Sequence, residues 1–476
     1  MKASRYNLIL DLNDNVSLFF NFFTLSLVAL KPPEARLGRK ILADPGKITK
    51  EKGAKKLRKI FTDHGFLVAE GADERQFLKL QNAQARAQSD SLSLTIVPTL
   101  ACNFRCRYCY QSQAPESMTA DVEEAIVRYV EDNLTAKKSL HVTWFGGEPL
   151  LRMDIIERLS SRLQELCGSH STQYGASIIT NGYLLEDGVP ERLARCGVID
   201  AQVTVDGPAE IHDRRRPLTG GEPTFKKILA NLSRAVAHLK IQVRMNVDDE
   251  NRDRIPDLLD VLEAEGLKER VGFYLGHTYP YTNVCQDVAS LCLKDEDFSL
   301  LELENALEMT QRGFISYPTP RGKSVFCMAE RPQAYAVRPG GGLVKCWNDV
   351  ANPEAEVGHL IRPETEKMRE NAGRWRGRDV FEHDCRDCLA LPICMGGCPY
   401  LHHLTGRPHC LDWKYHPEEC LVFYYYLRKV QQETEIIREF WDGLESIPKQ
   451  EPPDRLKRPP DPHRPNAKRR TKENDK

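Results

Sequence analysis

Three cysteines in one short segment could bind a metal cluster. Three residues separate Cys102 from Cys106, and two separate Cys106 from Cys109. Three thiolates in one loop can bind three corners of a [4Fe–4S] cube, which leaves one iron without a protein ligand. A structural zinc site needs four ligands, usually in paired Cys-x2-Cys units. The spacing therefore favours a cluster with one open iron.

A second, larger cysteine array lies in the last third of the chain. Its members are Cys327, Cys346, Cys385, Cys388, Cys394, Cys398, Cys410 and Cys420. Two fully ligated cubes need eight thiolates, and these are eight. A pair of zinc ribbons would leave the x5 and x3 spacings between Cys388 and Cys398 unexplained. Cys285 or Cys292 could substitute for one of the eight, and Cys167 and Cys196 read as buried thiols.

Composition limits the function classes. The 15 cysteines cannot all pair, and the 67 basic and 68 acidic residues leave a net charge of −1. Near-neutrality argues against nucleic-acid binding through a strong field. The most apolar stretch, Val16–Leu30, is interrupted by polar residues and is too short to span a bilayer. Asp11 precedes it without an obvious cleavage site, so we expect a cytoplasmic protein with reduced thiols and no membrane partner.

The first cysteine group must be positioned by an alternation of strands and helices. The predicted strands are Leu92–Val97, Leu140–Trp144, Ala176–Ile179, Ala201–Val205, Ile241–Val247 and Val271–Leu275. The predicted helices are Ala120–Leu134, Met153–Leu166, Val189–Cys196, Phe225–Leu239 and Ile255–Glu265. Six βα units in succession predict an α/β fold with a parallel sheet, open or curved into part of a barrel. Sites in such folds form where the strands end.

The two ends of the chain differ from this pattern. Residues 1–90 predict a small α+β unit, with strands Tyr6–Leu12 and Ser17–Phe23 around Asn13-Asp14-Asn15, a helix at Ala54–His64, a short strand at Phe66–Val68 and a helix at Asp73–Ser89. A last helix is predicted from about Glu418 to Glu445. Residues 448–476 are rich in Pro, Lys and Arg, which predicts a disordered tail.

At the first cysteine group the sequence resembles the radical S-adenosylmethionine (SAM) enzymes, whose signature is Cys-x3-Cys-x-aromatic-Cys. Tyr108 occupies the aromatic position. The resemblance continues at later strand ends, in Phe145-Gly146-Gly147-Glu148-Pro149, Thr180-Asn181-Gly182, Thr204-Val205-Asp206-Gly207-Pro208 and His212-Asp213-Arg214-Arg215-Arg216, with Asn246 and Asn251 around the fifth. It implies that Tyr108 lies against the adenine of SAM.

The same resemblance implies further SAM contacts. The methionine amino group of SAM would be held by Gly146, Gly147 and Glu148. Two further contacts to SAM would come from Thr204 and Arg216, and Arg216 would pair with the carboxylate of SAM. A partial (β/α)6 barrel would carry a [4Fe–4S] cluster. One electron, from a donor such as flavodoxin or ferredoxin, would cleave SAM to methionine and a 5′-deoxyadenosyl radical, which removes a hydrogen atom from the substrate.

The second array resembles the SPASM extension of these enzymes, with two auxiliary [4Fe–4S] clusters. Cys394-Met395-Gly396-Gly397-Cys398-Pro399 is typical of it. The resemblance implies that Cys327, Cys346 and Cys398 serve the nearer cluster. Cys385, Cys388 and Cys394 would serve the farther one. Which of the two clusters Cys410 completes, and which Cys420 completes, is left open. The implied domains are 1–90, 91–310 (radical SAM core), 311–447 (SPASM) and 448–476 (tail).

SPASM proteins act mostly on peptides, and residues 1–90 resemble the winged-helix-like, leader-binding domain of ribosomal-peptide maturases. The predicted partner is a precursor peptide with a leader, bound by strand addition; the alternative for this unit is a structural cap over the sheet. The product could be a thioether, a carbon–carbon ring or another oxidation.

Two rival functions remain. The anaerobic sulfatase-maturing branch oxidises a Cys or Ser to formylglycine, and the base is an Asp directly after the cysteine at the Cys346 position. This chain has Trp347 there and Asp349 two residues further on, which counts against this rival. Asp349 and His383 are the candidate bases of this chain, whichever reaction it performs. A non-catalytic zinc-ribbon binding protein is the other rival, against which the lack of interleaved basic and aromatic residues counts.

Overall fold

The computed structural model describes residues 1–13, 15–47, 50–87, 90–314 and 319–430. The predicted tail at 448–476, the predicted last helix beyond residue 430, and the predicted positions Asp14 and Ser89 lie outside the described residues.

The strands and helices follow one another in the order that the sequence predicts for the middle of the chain. The strands are β1 (Lys2–Ala3), β2 (Asn7–Asn13), β3 (Val16–Asn21), β4 (Ser26–Leu30), β5 (Leu67–Val68), β6 (Ser91–Ile96), β7 (Ser139–Trp144), β8 (Gln173–Thr180), β9 (Val198–Thr204), β10 (Lys240–Val247), β11 (Val271–His277), β12 (Ala334–Val337), β13 (Gly342–Val344) and β14 (Gly358–His359). The helices are α1 (Pro32–Ala43), α2 (Ala54–Asp63), α3 (Glu74–Ala87), α4 (Ala120–Leu134), α5 (Met153–Ser169), α6 (Val189–Arg195), α7 (Ala209–Arg215), α8 (Phe225–Ala235), α9 (Ile255–Ala264), α10 (Asp295–Arg312), α11 (Glu366–Arg376), α12 (Leu391–Cys394), α13 (Pro399–Thr405), α14 (Asp412–Tyr415) and α15 (Pro417–Val430).

A nine-stranded sheet forms the centre of the molecule, in the order β11-β10-β9-β8-β7-β6-β12-β13-β14. Strands β6 to β11 pair in parallel. Their alternate side chains are buried against helices α4, α5 and α8, in one core that includes Val142, Ile178 and Val203. The predicted α/β class with a mostly parallel sheet is therefore confirmed.

The sheet continues beyond the six predicted strands. Strand β12 pairs in parallel with β6, with Ala336 opposite Thr95. Strands β13 and β14 then add antiparallel hairpins at the outer side. The cysteine-rich part of the chain thus extends the sheet beside the strand that leads into the first cysteine group.

The N-terminal strands form a separate antiparallel sheet in the order β2-β3-β4. One face of β3 buries Phe19 against Phe61 of α2, with ring centroids 5.4 Å apart. The other face places Phe20 on Trp413, with centroids 5.3 Å apart. An ion pair of 2.6 Å between Arg5 and Asp387 adds to this contact. The unit therefore packs on the cysteine-rich part of the chain.

No helix within the described ranges has both the length and the apolar composition needed to cross a bilayer.

Candidate active site

A cavity of about 390 Å³ opens at the carboxyl ends of the parallel strands. Two sets of thiols line it: the first cysteine group (Cys102, Cys106 and Cys109) and a near group (Cys327, Cys346 and Cys398). The ends of strands β7 to β11 and the loops after them supply about half of the remaining lining. This is the edge at which the sequence predicts a site, because loops after parallel strands converge there.

The loop that holds the first cysteine group is fixed by main-chain hydrogen bonds. The Arg105 N–H donates to Pro217 and the Arg107 N–H to Arg215, at 3.0 and 3.2 Å. Burial raises the pKa of Cys102 to about 12 and of Cys106 to about 11. Thiolates form in such surroundings when a cation compensates their charge, so the three buried thiols fit an iron–sulfur cluster.

Two glycines let the turn after β7 pass close behind this loop. Gly146 has a φ of +135°, which L side chains rarely adopt. A Cβ atom at Gly147 would collide with the carbonyl oxygens of Leu100 and Ala101. Both glycines line the cavity, as the resemblance implies for residues that lie against SAM.

Glu148 is fully buried and lies behind the cavity wall. Its Oε1 accepts from the Leu150 N–H at 3.0 Å and from the Thr180 hydroxyl at 2.8 Å, and its Oε2 accepts from the Asn181 N–H at 2.8 Å. Burial raises the pKa of this carboxyl, whereas the three donors favour its ionised form. The side chain thus joins the ends of β7 and β8. It is absent from the described lining of the cavity, where Gly146 and Gly147 are found.

Tyr108 is the centre of a polar network at the cavity wall. Its hydroxyl donates to Asp206 at 2.5 Å and accepts from Arg216 at 2.6 Å and from Asn246 at 3.0 Å. The Nε of Arg216 is buried and has no hydrogen-bond partner among the described residues. Arg216 and Thr204 both line the cavity. An unpaired guanidinium donor at this position fits the carboxylate of an amino-acid ligand such as SAM.

Arg215 is a buried cation that the sequence analysis did not single out. It binds Asp248 with both terminal nitrogens at 2.9 and 2.8 Å. Its guanidinium also lies 5.1 Å from the centre of the Tyr108 ring. The only sequence signal is the run Arg214-Arg215-Arg216, in which the exposed and buried members look alike. Arg215 therefore positions Tyr108, which lies within the loop of the first cysteine group.

The cysteine-rich part contains two groups of thiols. In the near group, the Cys398 thiol raises the pKa of Cys327 and of Cys346, in addition to the larger effect of burial. In a far group, burial and the thiols of Cys394, Cys388 and Cys385 together raise the pKa of Cys410 to about 12. The far group (Cys385, Cys388, Cys394 and Cys410) therefore has four members, and the near group has three.

Gly397 allows the far group to assemble. It has a φ of +68°, and a Cβ atom there would lie 2.6 Å from the carbonyl carbon of His409. The two residues form a parallel bridge, which brings the loop of Cys410 beside Cys394 and Cys398. A side chain at Gly397 would separate them.

Three other candidate cysteines lie outside these groups. The Cys420 thiol is buried and donates to Asp412 at 3.8 Å. The thiols of Cys285 and Cys292 donate to the carbonyls of Thr282 and Val288.

The two candidate bases lie in the cysteine-rich part. Burial raises the pKa of Asp349 to about 7, and the carboxyl lies near Cys346 and Tyr400. His383 begins a helical turn that ends at Cys385, and its side chain lies outside the described part of the chain.

Aromatic rings that the sequence analysis did not assign to the site line the cavity as well. Trp347 lies 5.8 Å from Phe145, and Tyr281 lies 5.6 Å from Tyr110, measured between ring centres. Tyr400 donates to the carbonyl of Tyr281 at 3.2 Å. No local spacing signals these contacts, because the partners come from distant segments.

Residues 96–262 match the Radical SAM superfamily. This stretch is a radical SAM domain. The protein is thus an enzyme with SAM and a [4Fe–4S] cluster as its cofactors, as the first cysteine group predicts.

Curated relatives match over different shares of the chain. Identity is 23% over 331 residues to a serine-type anaerobic sulfatase-maturating enzyme of Klebsiella aerogenes, which covers 64% of this chain and 79% of that protein. It is 26% over 322 residues to a PqqA peptide cyclase of Gluconobacter oxydans, covering 65% and 86%. A pre-heme d1 synthase of Dinoroseobacter shibae is 26% identical over 180 residues. The matched stretch covers 38% of this chain and only 41% of that synthase.

Two solved structures share the fold. Native anSMEcpe with bound AdoMet and the Cp18Cys peptide has a TM-score of 0.55 and 20% identity, covering 73% of this chain and 100% of that one. Streptococcus suis SuiB bound to the precursor peptide SuiA has a TM-score of 0.51 and 15% identity, covering 86% and 98%.

Proposed function

We propose that this radical SAM enzyme oxidatively modifies a side chain of a ribosomally made peptide. The observation that carries the proposal is the shared cavity, which the first cysteine group and the near group both line. A substrate held there lies between the SAM site and a second redox site. When bound, SAM and its cluster supply a 5′-deoxyadenosyl radical that removes a hydrogen atom from the substrate.

The residues of the first cysteine group would hold the SAM-binding cluster. The unpaired Nε of Arg216 would bind the SAM carboxylate, while Tyr108, itself held by Asp206 and Arg215, would line the adenine side. Gly146 and Gly147 would leave room for the methionine end. The aromatic rings of Phe145, Tyr281 and Tyr400, which line the cavity, would help to exclude water from the substrate carbon.

Two auxiliary clusters are part of the proposal. The far group supplies four thiols, the number that a fully ligated cube requires. The near group supplies three, so a cube there would take its fourth ligand from outside this group, and Cys285 and Cys292 stay candidates. Asp349, close to Cys346 and Tyr400, is the candidate base that would accept a proton from the substrate.

The N-terminal unit is proposed to bind the leader of the peptide as a winged-helix-like domain. Strand β4 pairs with β3 on one side, and no described strand pairs with its other side. Ala29 is exposed there, beside half-buried Leu27 and Val28. A free, partly apolar strand edge suits the addition of a peptide strand. SuiB, of the same fold, is bound to a precursor peptide.

Hydrogen exchange tests the leader site directly. A leader peptide should slow amide exchange in Ser26–Leu30 of the full-length enzyme, because added main-chain hydrogen bonds protect the edge. Strand β11, at the far end of the central sheet, serves as the internal reference. Binding of the peptide without protection of β4 would contradict strand addition at this edge.

The reaction is tested with a Cys- or aromatic-rich peptide encoded beside this gene. Anaerobic incubation with SAM and a reductant should give 5′-deoxyadenosine and a peptide that has lost two hydrogen atoms. The Cys167→Ala variant, changed at a buried thiol outside the cavity, is the control and should be as active as the parent. SAM cleavage with an unmodified peptide would contradict the proposal.

Formylglycine formation is the second candidate, since the Klebsiella aerogenes relative is a sulfatase-maturating enzyme. Its product carries an aldehyde, which a hydrazide reagent traps, whereas a thioether or carbon–carbon ring does not react. Trapping of the modified peptide would therefore assign this chain to that branch.

A further inference from the structure

Two histidines and an aspartate meet at the border of the proposed active-site cavity, whose lining includes His277 but neither Asp295 nor His409. His277 ends strand β11, Asp295 is the first residue of helix α10, and His409 precedes Cys410 of the far group. Asp295 Oδ1 lies 3.9 Å from His277 Nδ1 and 3.7 Å from His409 Nε2. The three ligand atoms lie within 4.8 Å of one another.

Hydrogen bonds orient two of the three side chains, His277 and Asp295. His277 Nε2 donates to the carbonyl of Leu293 at 2.8 Å, so the neutral ring has its lone pair on Nδ1, facing Asp295. Asp295 Oδ2 accepts from the Tyr415 hydroxyl at 3.2 Å, which leaves Oδ1 towards the histidines. A backbone carbonyl on one imidazole nitrogen and a hydroxyl on the carboxylate are the usual outer partners of metal ligands.

The facing lone pairs of His277 Nδ1 and Asp295 Oδ1 repel each other unless a cation lies between them. The adjoining cavity, of about 380 Å³, is lined by two further carboxylates, Glu302 and Asp412. Its described lining contains no lysine or arginine, and burial raises the pKa of Glu302 to about 8, so this carboxyl is ionised near neutral pH only when a cation compensates its charge. The surroundings of the three residues thus favour a bound cation.

We propose that His277, Asp295 and His409 bind one divalent metal ion, with zinc as the best match. Two imidazoles and one carboxylate, with a position left for water, are a known ligand set for zinc. In a tetrahedral site, zinc bonds of about 2.0–2.2 Å place two ligand atoms about 3.3–3.6 Å apart, so the separations of 3.9 and 3.7 Å would shorten by a few tenths of an ångström on binding. The Tyr279 hydroxyl lies 2.8 Å from His409 Nε2, and this hydrogen bond would break when that nitrogen binds the metal.

This site would connect three parts of the molecule. His277 belongs to the central sheet, Asp295 to the helix that follows it, and His409 to the loop that carries Cys410. A shared metal would fix that loop to the end of β11. It would therefore hold the loop of Cys410 through His409, the residue that also bridges Gly397.

Metal content of the holoenzyme tests the proposal. Iron–sulfur clusters are reconstituted first, so that iron occupies the cysteine groups, and the protein is then dialysed against zinc chloride without oxygen. We expect about one zinc per chain, and binding at least about 100-fold weaker in Asp295→Asn. Asp297→Asn, an exposed carboxylate two residues further along the same helix, is the matched control and should bind zinc like the parent.

His277→Gln provides a second variant, and equal iron content in all proteins shows that they have folded. Loss of zinc in both Asp295→Asn and His277→Gln at unchanged iron supports the site. Parent protein without zinc above background, or zinc that persists in Asp295→Asn, would overturn it, because the metal would then be absent or bound to residual thiols. The readout is zinc alone, so failure here leaves the peptide-modification proposal intact.

Discussion

Two different roles can be assigned to Glu148, the acidic residue that follows the paired glycines. The resemblance assigns it to the methionine amino group of SAM, whereas its three hydrogen bonds join the ends of β7 and β8. The change Glu148→Gln tests this. All three partners donate, because the Thr180 hydroxyl is itself occupied as an acceptor by the Gly182 N–H at 3.1 Å. One of the donors must therefore face the new amide group.

The size of the effect follows from these contacts. Replacing Oε2 by an amide NH2 removes a hydrogen bond to a charged group, worth about 1.5–3 kcal/mol. It also leaves the buried Asn181 N–H without an acceptor, at a cost of about 1–3 kcal/mol. We expect the free energy of unfolding to fall by about 3 kcal/mol even without SAM. Glu157→Gln, in an exposed pair with Arg192, should cost less than about 1 kcal/mol.

Anaerobic urea unfolding of the holoenzyme without SAM, followed by tryptophan fluorescence, measures the difference. Buried Trp144 ends β7 next to the affected turn and reports on it. A separate titration gives the SAM affinity of each variant. If Glu148→Gln unfolds like the parent and only SAM binding is lost, the carboxylate acts on SAM directly and the positioning role is refuted.

Three other predictions follow from the cysteine groups and from one buried histidine. Fully reconstituted parent enzyme should hold about twelve irons, Cys410→Ala about four fewer and Cys420→Ala the same number as the parent, by iron analysis; equal losses in both variants would contradict the grouping. Cys102→Ala should abolish 5′-deoxyadenosine formation while about eight irons remain, and undiminished formation would exclude that thiol from the SAM-binding cluster. Burial lowers the pKa of His212 to about 3. The folded pKa lies below the unfolded value of about 6.5, so stability is full above that pH and should fall by about 1.4 kcal/mol on lowering the pH to about 5.5. His212→Gln should flatten this dependence in urea unfolding at the two pH values.

The parallel strands could be predicted because each is a short run in which apolar, buried side chains alternate with more exposed ones. The structure extends them by at most three residues, as at Val198 in β9 and Gln173 in β8. Helix α10 was not predicted. Its sequence is strongly charged, and its apolar side chains are buried in two different clusters, Phe298 and Met309 in the core of the central sheet and Leu303 in the core next to the N-terminal unit. Helix α1 was also missed, although proline is favoured at the first helical position.

The residues of the candidate site likewise divide into those that local spacing predicts and those that depend on contacts between distant segments. Local spacing identified the first cysteine group and the glycines of Gly146 and Gly147, since a single loop or turn forms each. Spacing does not distinguish Cys410 from Cys420, because their placement depends on the pairing of Gly397 with His409. Nor does it distinguish buried Arg215, whose partner Asp248 comes from another strand end.

Strand β12 has a practical consequence for dissecting the enzyme. Its amides and carbonyls cover the edge of β6, so a fragment that stops after residue 310 would expose a bare row of main-chain donors and acceptors beside the cysteine loop. Such an edge recruits foreign strands and promotes aggregation. The catalytic half of the chain is therefore not a transplantable module, and chimeras with other peptide-processing enzymes should carry the segment through β14 along with it.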